Sequence, residues 1–251
     1  MNWSFVETPR PYGPAHILIL LGIAALLILF WIASRNAREK TLMRILFGCG
    51  LFMLAAEVFK QWFVIRYICA GTPSMWFFPW QLCSIAMYCS ALVPFLKGKA
   101  QEAVLVFLST FSAIGAVFAL AIPDDMMRPQ ILLFIHSFLY HALMLVEAIA
   151  ALRILCFRRR ASFPPALVLF LIAAAVAEGI NVVSHLLIHD VSHEANMFYI
   201  TPFYPSTQPV FREIALHAGV FVEIIVYLGA IALAGFLLYL IESLRIKRKT
   251  K

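Results

Sequence analysis

The chain has 251 residues, of which 63% are hydrophobic and only 13% are Asp, Glu, Lys or Arg. A soluble domain carries about 25% charge, so this composition excludes a water-soluble globule and leaves lipid to cover the apolar excess. The net charge of +7 sits in short clusters between apolar runs. With no polar domain to present it, that charge does not describe a nucleic-acid-binding surface.

The first fourteen residues have no basic stretch leading directly into the apolar run and no A-x-A-like site, so the first helix is read as retained. Bilayer-spanning helices need about 20 apolar residues. Stretches of that kind fall at 15–34, 43–66, 76–96, 101–122, 130–155, 165–188 and 212–243. Between them stand breaks such as Ser34-Arg35-Asn36, Gly71-Thr72-Pro73, Lys97-Gly98-Lys99 and Pro123-Asp124-Asp125. The runs are continuous and do not alternate with period two, which argues against a transmembrane barrel. The predicted fold is an all-α polytopic bundle of about seven transmembrane helices, a single domain over 1–251.

Of the twenty Lys and Arg residues, fifteen fall on one side of this scheme and four on the other, with Lys60 inside a helix. Basic loops stay in the cytoplasm, so the N-terminus is expected outside and the C-terminus inside. The long loop at 189–211 then lies outside, and its aromatic and proline content predicts an ordered cap on the interface. The five cysteines are odd in number and mostly lie in apolar segments, which disfavours a disulfide framework.

Ionisable groups within a bilayer cost roughly 2.5–3.5 kcal/mol each on insertion scales, so their positions carry information. Glu57, Lys60 and Gln61 share one face of the second segment. Gln81 and Cys83 lie in the third. The fifth carries His136, Ser137, Tyr140, His141 and Glu147. Glu178, Asn181 and His185 share a face of the sixth, and the seventh carries Glu213, His217 and Glu223. The fourth, over Ala103 to Ile122, has no ionisable group and is expected only to pack. With the N-terminus outside, most of these groups fall at one depth in the outer half, which points to a polar cavity built from five helices. Independent hydrogen-bonded pairs between helices are the other reading.

Three chemistries fit these residues. A cysteine thiolate is a nucleophile, and a nearby imidazole can take its proton, which singles out Cys83 with a histidine. His136 and His141 are five residues apart, about 140° around a helix at 3.6 residues per turn, and are not expected to face the same cavity directly. His185, His189 and His193 would align as zinc ligands if that stretch stayed helical. A proton relay or ion path is the third possibility. Apart from Pro94 near the inner end of the third segment, no Gly or Pro is read as breaking a segment mid-membrane, and no inverted repeat of the secondary-transporter kind shows.

The segments PWQLCSIAMYCSALVPF (Pro79 to Phe95), LFIHSFLYHALMLVEAIAAL (Leu133 to Leu152) and EANMFYITPFYPS (Glu194 to Ser206) resemble the bacterial YwaF-type integral membrane family. That family is distantly similar to eukaryotic transmembrane cysteine acyltransferases of ether phospholipids and to hydrolases of fatty-acid esters. The resemblance implies a multi-pass protein of a bacterial cytoplasmic membrane, with Cys83 as the acyl-accepting nucleophile and His141 as its base. Gln81 stands where a histidine is frequent in that family. The outer-loop histidines have no counterpart in the family pattern.

The expectation is therefore an enzyme of lipid acyl transfer or acyl-ester hydrolysis. Cys83, His141 and His136 are its candidate catalytic residues. Glu57, Lys60, Gln81, Tyr140, Glu178, Asn181 and His217 bind or support the substrate, with Asn181 or Gln81 orienting the base or holding the oxyanion. No cofactor is expected, and membrane lipids are the expected partners, with a lipid or small polar substrate arriving from the outer side. The alternative is a non-enzymatic transporter or receptor for a small polar or proton-coupled ligand.

Overall fold

A computed structural model describes residues 3–69, 71, 74–188, 190 and 193–247. Its long elements are helices: α1 (Pro14–Ala33), α2 (Glu39–Phe63), α3 (Leu82–Leu92), α4 (Gly98–Phe107), α5 (Ala113–Ala121), α6 (Ile131–Arg158), α7 (Phe163–Leu187), α8 (Pro209–Ala218) and α9 (Val220–Ile246). A single π turn, Leu108–Ser112, joins α4 and α5 into one rod. Among the described residues, six helical stretches are long and apolar enough to cross a membrane. The chain is an all-α polytopic membrane bundle.

The basic clusters converge on one end of the bundle. Arg158, at the end of α6, bonds the Glu39 carboxylate at the start of α2 and donates to Gln101 Oε1 of α4 at 2.8 Å. Arg153 donates to the Trp31 carbonyl of α1 and stacks 4.2 Å from that indole. Tyr239 of α9 donates to the Ala161 carbonyl before α7. At the other end, Tyr12 donates to Ala121 O at 2.8 Å, and buried His16 bridges α1 to α5. His16 Nδ1 accepts from Tyr12 N, so Nε2 carries the proton donated to Leu120 O. Successive spans therefore alternate between a basic end and an opposite end, as positive-inside sorting requires.

The third segment departs from a full span. Helix begins only at Leu82 and, with a 3-10 turn, runs to Phe95. Fourteen residues rise about 21 Å, short of a hydrocarbon core of about 30 Å. Pro79 supplies no N–H and biases Phe78 to extended backbone; Phe78 has ψ 135°. The irregular chain before α3 is pinned by Trp80, whose Nε1 donates to Ala173 O at 3.1 Å. α3 lies against α2, where a Cβ on Gly50 would meet Ala91 N at 2.4 Å. Only glycine allows that approach.

The last segment is two helices, not one. Gly219 has φ 93° and ψ 154°, a conformation confined to glycine, and it separates α8 from α9. The fourth segment does more than pack: Ser109, in the π turn, donates to Glu242 Oε2 at 2.8 Å. The outer loop also differs from the expected surface cap. Ala195, Asn196, Met197, Phe198 and Ile200 are buried in the main core. Asn181 lies six residues from the end of α7, about 9 Å below it, and meets Met197 there. Irregular backbone is tolerated at membrane depth only when protein satisfies it. Here Ser184 accepts from Ala195 N, Asn181 bonds both N and O of Met197, and Gln81 bonds Phe198 N and Asn196 O.

Candidate functional site

α3 begins at the floor of a cavity of about 140 Å³ that opens near the end opposite the basic clusters. Gln81 is the N-cap of α3, so Cys83 is the second residue of its first turn. The first N–H groups of a helix have no intrahelical acceptor, and the dipole there favours negative charge. Cys83 and Ser84 line the cavity beside Glu57 and Lys60 of α2 and Leu133, His136, Ser137, Tyr140 and His141 of α6.

Both histidines reach the same cavity, against the angular expectation. His141 Nδ1 lies 2.7 Å from the Ser137 carbonyl. Helical side chains lean toward the N-terminus of their own helix, which for α6 is the outer end, as the contact with the carbonyl one turn earlier shows. A carbonyl can only accept, so Nδ1 holds the proton and Nε2 keeps its lone pair. His136 stacks 5.4 Å from Tyr140. Among the described residues, its Nε2 is buried without a hydrogen-bond partner, as is the Tyr140 hydroxyl.

Glu57 organises the α2 side. Its Oε1 accepts from Lys60 Nζ at 2.7 Å and Gln61 Nε2 at 2.8 Å. Oε2 faces His136 Nε2 at 3.9 Å, beyond hydrogen-bond reach. Gln61 also donates to Phe77 O at 2.5 Å, which ties α2 to the aromatic rim formed by Trp76, Phe77 and Phe78.

Of the predicted residues, Cys83, His136, His141, Glu57, Lys60, Gln81 and Tyr140 meet at this cavity. Glu178, Asn181 and His217 do not line it. Glu178 is half-buried on α7, and His217 is exposed on α8. The cavity wall comes from α2, α3 and α6, not from five helices. The amides of Gln81 and Asn181 are both bonded to the backbone of residues 196–198, which spends one donor and one acceptor of each on holding that loop. His185 and His193 do not share one helix, because α7 stops at Leu187. His185 pairs with Glu194 at 3.0 Å and stacks on Phe203, His193 bonds Asp190, and His189 lies outside the described residues. Among the described residues, no three His, Cys, Asp or Glu side chains converge as metal ligands.

Asp125 and Arg128, absent from the sequence expectation, stand at the mouth. The signal for them was an acidic-basic pair in a short loop next to α6. Arg128 Nε donates to Asp125 O at 2.9 Å, and the Tyr199 hydroxyl donates to Asp125 Oδ2 at 2.7 Å. Burial and then the Asp125 carboxylate hold the Tyr199 phenol well above its usual range, so it stays a donor.

The fold and this cavity define a multi-pass membrane protein with a polar site sunk among its helices. A family model matches residues 11–241, and the chain belongs to the TMEM164 family of transmembrane proteins. No curated protein and no solved structure matches it.

Proposed function

We propose that the protein transfers or hydrolyses a lipid acyl ester, with Cys83 as nucleophile and His141 as base. The observation that carries this reading is the juxtaposition of a helix-first-turn cysteine and a tautomer-fixed histidine on one cavity wall. The resemblance of the Pro79–Phe95 and Leu133–Leu152 segments to the YwaF-type family, itself distantly similar to cysteine acyltransferases, supports it.

Cys83 Sγ attacks the acyl carbonyl as His141 Nε2 takes the thiol proton. The oxyanion develops beside the N–H groups of Leu82 and Cys83, which have no intrahelical acceptor in the first turn of α3; the Ser84 N–H is already bonded to Gln81 O. The C–O bond then breaks, and the proton on His141 goes to the leaving alcohol. In the second half, an acceptor alcohol or water gives its proton to His141 and attacks the thioester. The C–S bond breaks, and the proton returns to sulfur. The cavity is small, about 140 Å³. It accepts the ester and a few methylenes, so the rest of the lipid lies along the aromatic rim and in the bilayer. The Glu57–Lys60 pair and His136 supply fixed charge and polarity beside the ester.

The basic-end distribution of charge supports a cytoplasmic C-terminus with the cavity facing the outer leaflet, and the resemblance to a bacterial family is what supports a bacterial cytoplasmic membrane. The test is lipid-remodelling activity of purified protein. Cys83→Ala is expected to abolish it, and His141→Ala to slow it by about 10²–10⁴-fold, the worth of general acid–base catalysis. Full activity in Cys83→Ala and Cys83→Ser would end the nucleophile reading.

A further inference from the structure

A second concavity, of about 260 Å³, lies at the basic end between the end of α6, the start of α4 and the last turns of α9. Arg159, Arg160 and Lys247 line it with Glu102, Tyr239 and Ser243. Among the described residues, no carboxylate lies within ion-pair distance of the three cations. Three positive charges on its wall thus face one negative.

The preceding Arg158 plays a different role, locked to Glu39 and Gln101. Arg159 has φ 53°, a left-handed conformation that L-residues adopt at a cost. This breaks the helical register between Arg158 and its two successors, so the three arginines do not act alike. The hydroxyls have a fixed polarity. Tyr239 donates to Ala161 O and Ser243 to Leu240 O, which leaves both oxygens as acceptors toward the cavity. Phe157, Leu240 and Leu244, close by in sequence, are exposed apolar side chains.

We propose that this cavity binds an anionic phospholipid of the cytoplasmic leaflet whose phosphate headgroup also carries hydroxyls. Arg forks match phosphate oxygens, and the two acceptor hydroxyls match headgroup O–H donors. The exposed apolar side chains line the path of the acyl chains. Membrane-facing basic pockets on the cytoplasmic side are a recognised setting for such headgroups.

The full chain in neutral detergent, offered equimolar phosphatidylglycerol and phosphatidylcholine, is read by native mass spectrometry. Phosphatidylglycerol is expected to be retained preferentially. Arg159→Gln/Arg160→Gln and, separately, Lys247→Gln are expected to weaken retention about five-fold per charge removed. Lys40→Gln, exposed at the same end but off the cavity wall, is expected to change nothing. Equal retention by the cavity variants overturns the proposal, as does an equal loss in Lys40→Gln, which would mean diffuse surface charge. Displacement of the lipid by glycerol phosphate at equal concentration overturns the lipid assignment in favour of a soluble anion. Lys247→Gln, at an exposed position, carries the test if the double arginine variant does not fold.

Discussion

Gln81 shows how one side chain can join two parts of a site. Its amide bonds the backbone of 196–198 while the next two residues open α3 and carry Cys83. Gln81→Ala removes both bonds and leaves buried backbone groups unpaired. A loss of about 1–3 kcal/mol per orphaned group is expected, read as a lower Tm together with faster alkylation of Cys83. Gln81→Glu keeps the acceptor and loses the donor, so it should keep only part of the stability. Gly50→Ala is expected to cost about 1–3 kcal/mol, typical of overpacking, because its Cβ would meet the α3 backbone at 2.4 Å. At this scale the sequence was informative where chemistry is rare in lipid: Cys83, His141, Glu57 and Lys60 stood out as costly or reactive groups in apolar runs. Asp125 and Arg128 did not stand out, since charge in a short loop is unremarkable without the fold.

Elements whose hydropathy was right but whose conformation was not are the informative ones. The apolar run from Trp76 to Leu96 reads as one helix by composition, yet Pro79 delays the helix to Leu82. Hydropathy cannot tell an extended apolar strap from a helical one. The same blindness hid the buried stretch Ala195–Ile200, although its Met, Phe and Ile were visible in a loop otherwise rich in polar residues. Gly219 was the visible sign that the final segment divides into α8 and α9. Gly219→Ala is expected to cost about 1–3 kcal/mol, because its φ and ψ suit glycine alone. His217→Ala, in contrast, should leave activity unchanged, because His217 is exposed on α8. The Ser109–Glu242 bond makes the π turn a joint between α4–α5 and α9. Ser109→Ala should lower stability by about 1–3 kcal/mol, the desolvation cost of a buried group left unpaired. The same change in a Glu242→Leu background should cost less, since no buried carboxyl then remains.

Across the whole molecule, topology and site are one statement. The charge bias visible in the sequence sorted the loops into two sides, and the structure joins the Arg158, Glu39, Arg153 and Tyr239 contacts at a single end. The cavity lies toward the other end, where Tyr12, His16 and Tyr199 tie the loops together. A cysteine introduced at Lys247 should react with an impermeant maleimide only after the membrane is opened, whereas one at Arg10 should react in intact cells. The reverse pattern would turn the cavity to the cytoplasmic leaflet. What pattern alone could not supply was which polar faces meet. Depth in the bilayer was legible, but the packing of α2, α3 and α6 around one cavity, without α7 or α8, depends on contacts distant in sequence.

The most direct measurement is the intact mass of the protein after brief incubation with a phospholipid donor and no acceptor. One acyl group should be added, removable by neutral hydroxylamine, mapping to Cys83 and absent from Cys83→Ala. An acyl adduct that persists in Cys83→Ala, or active turnover with no adduct trapped on Cys83 when deacylation is slowed, would contradict the account.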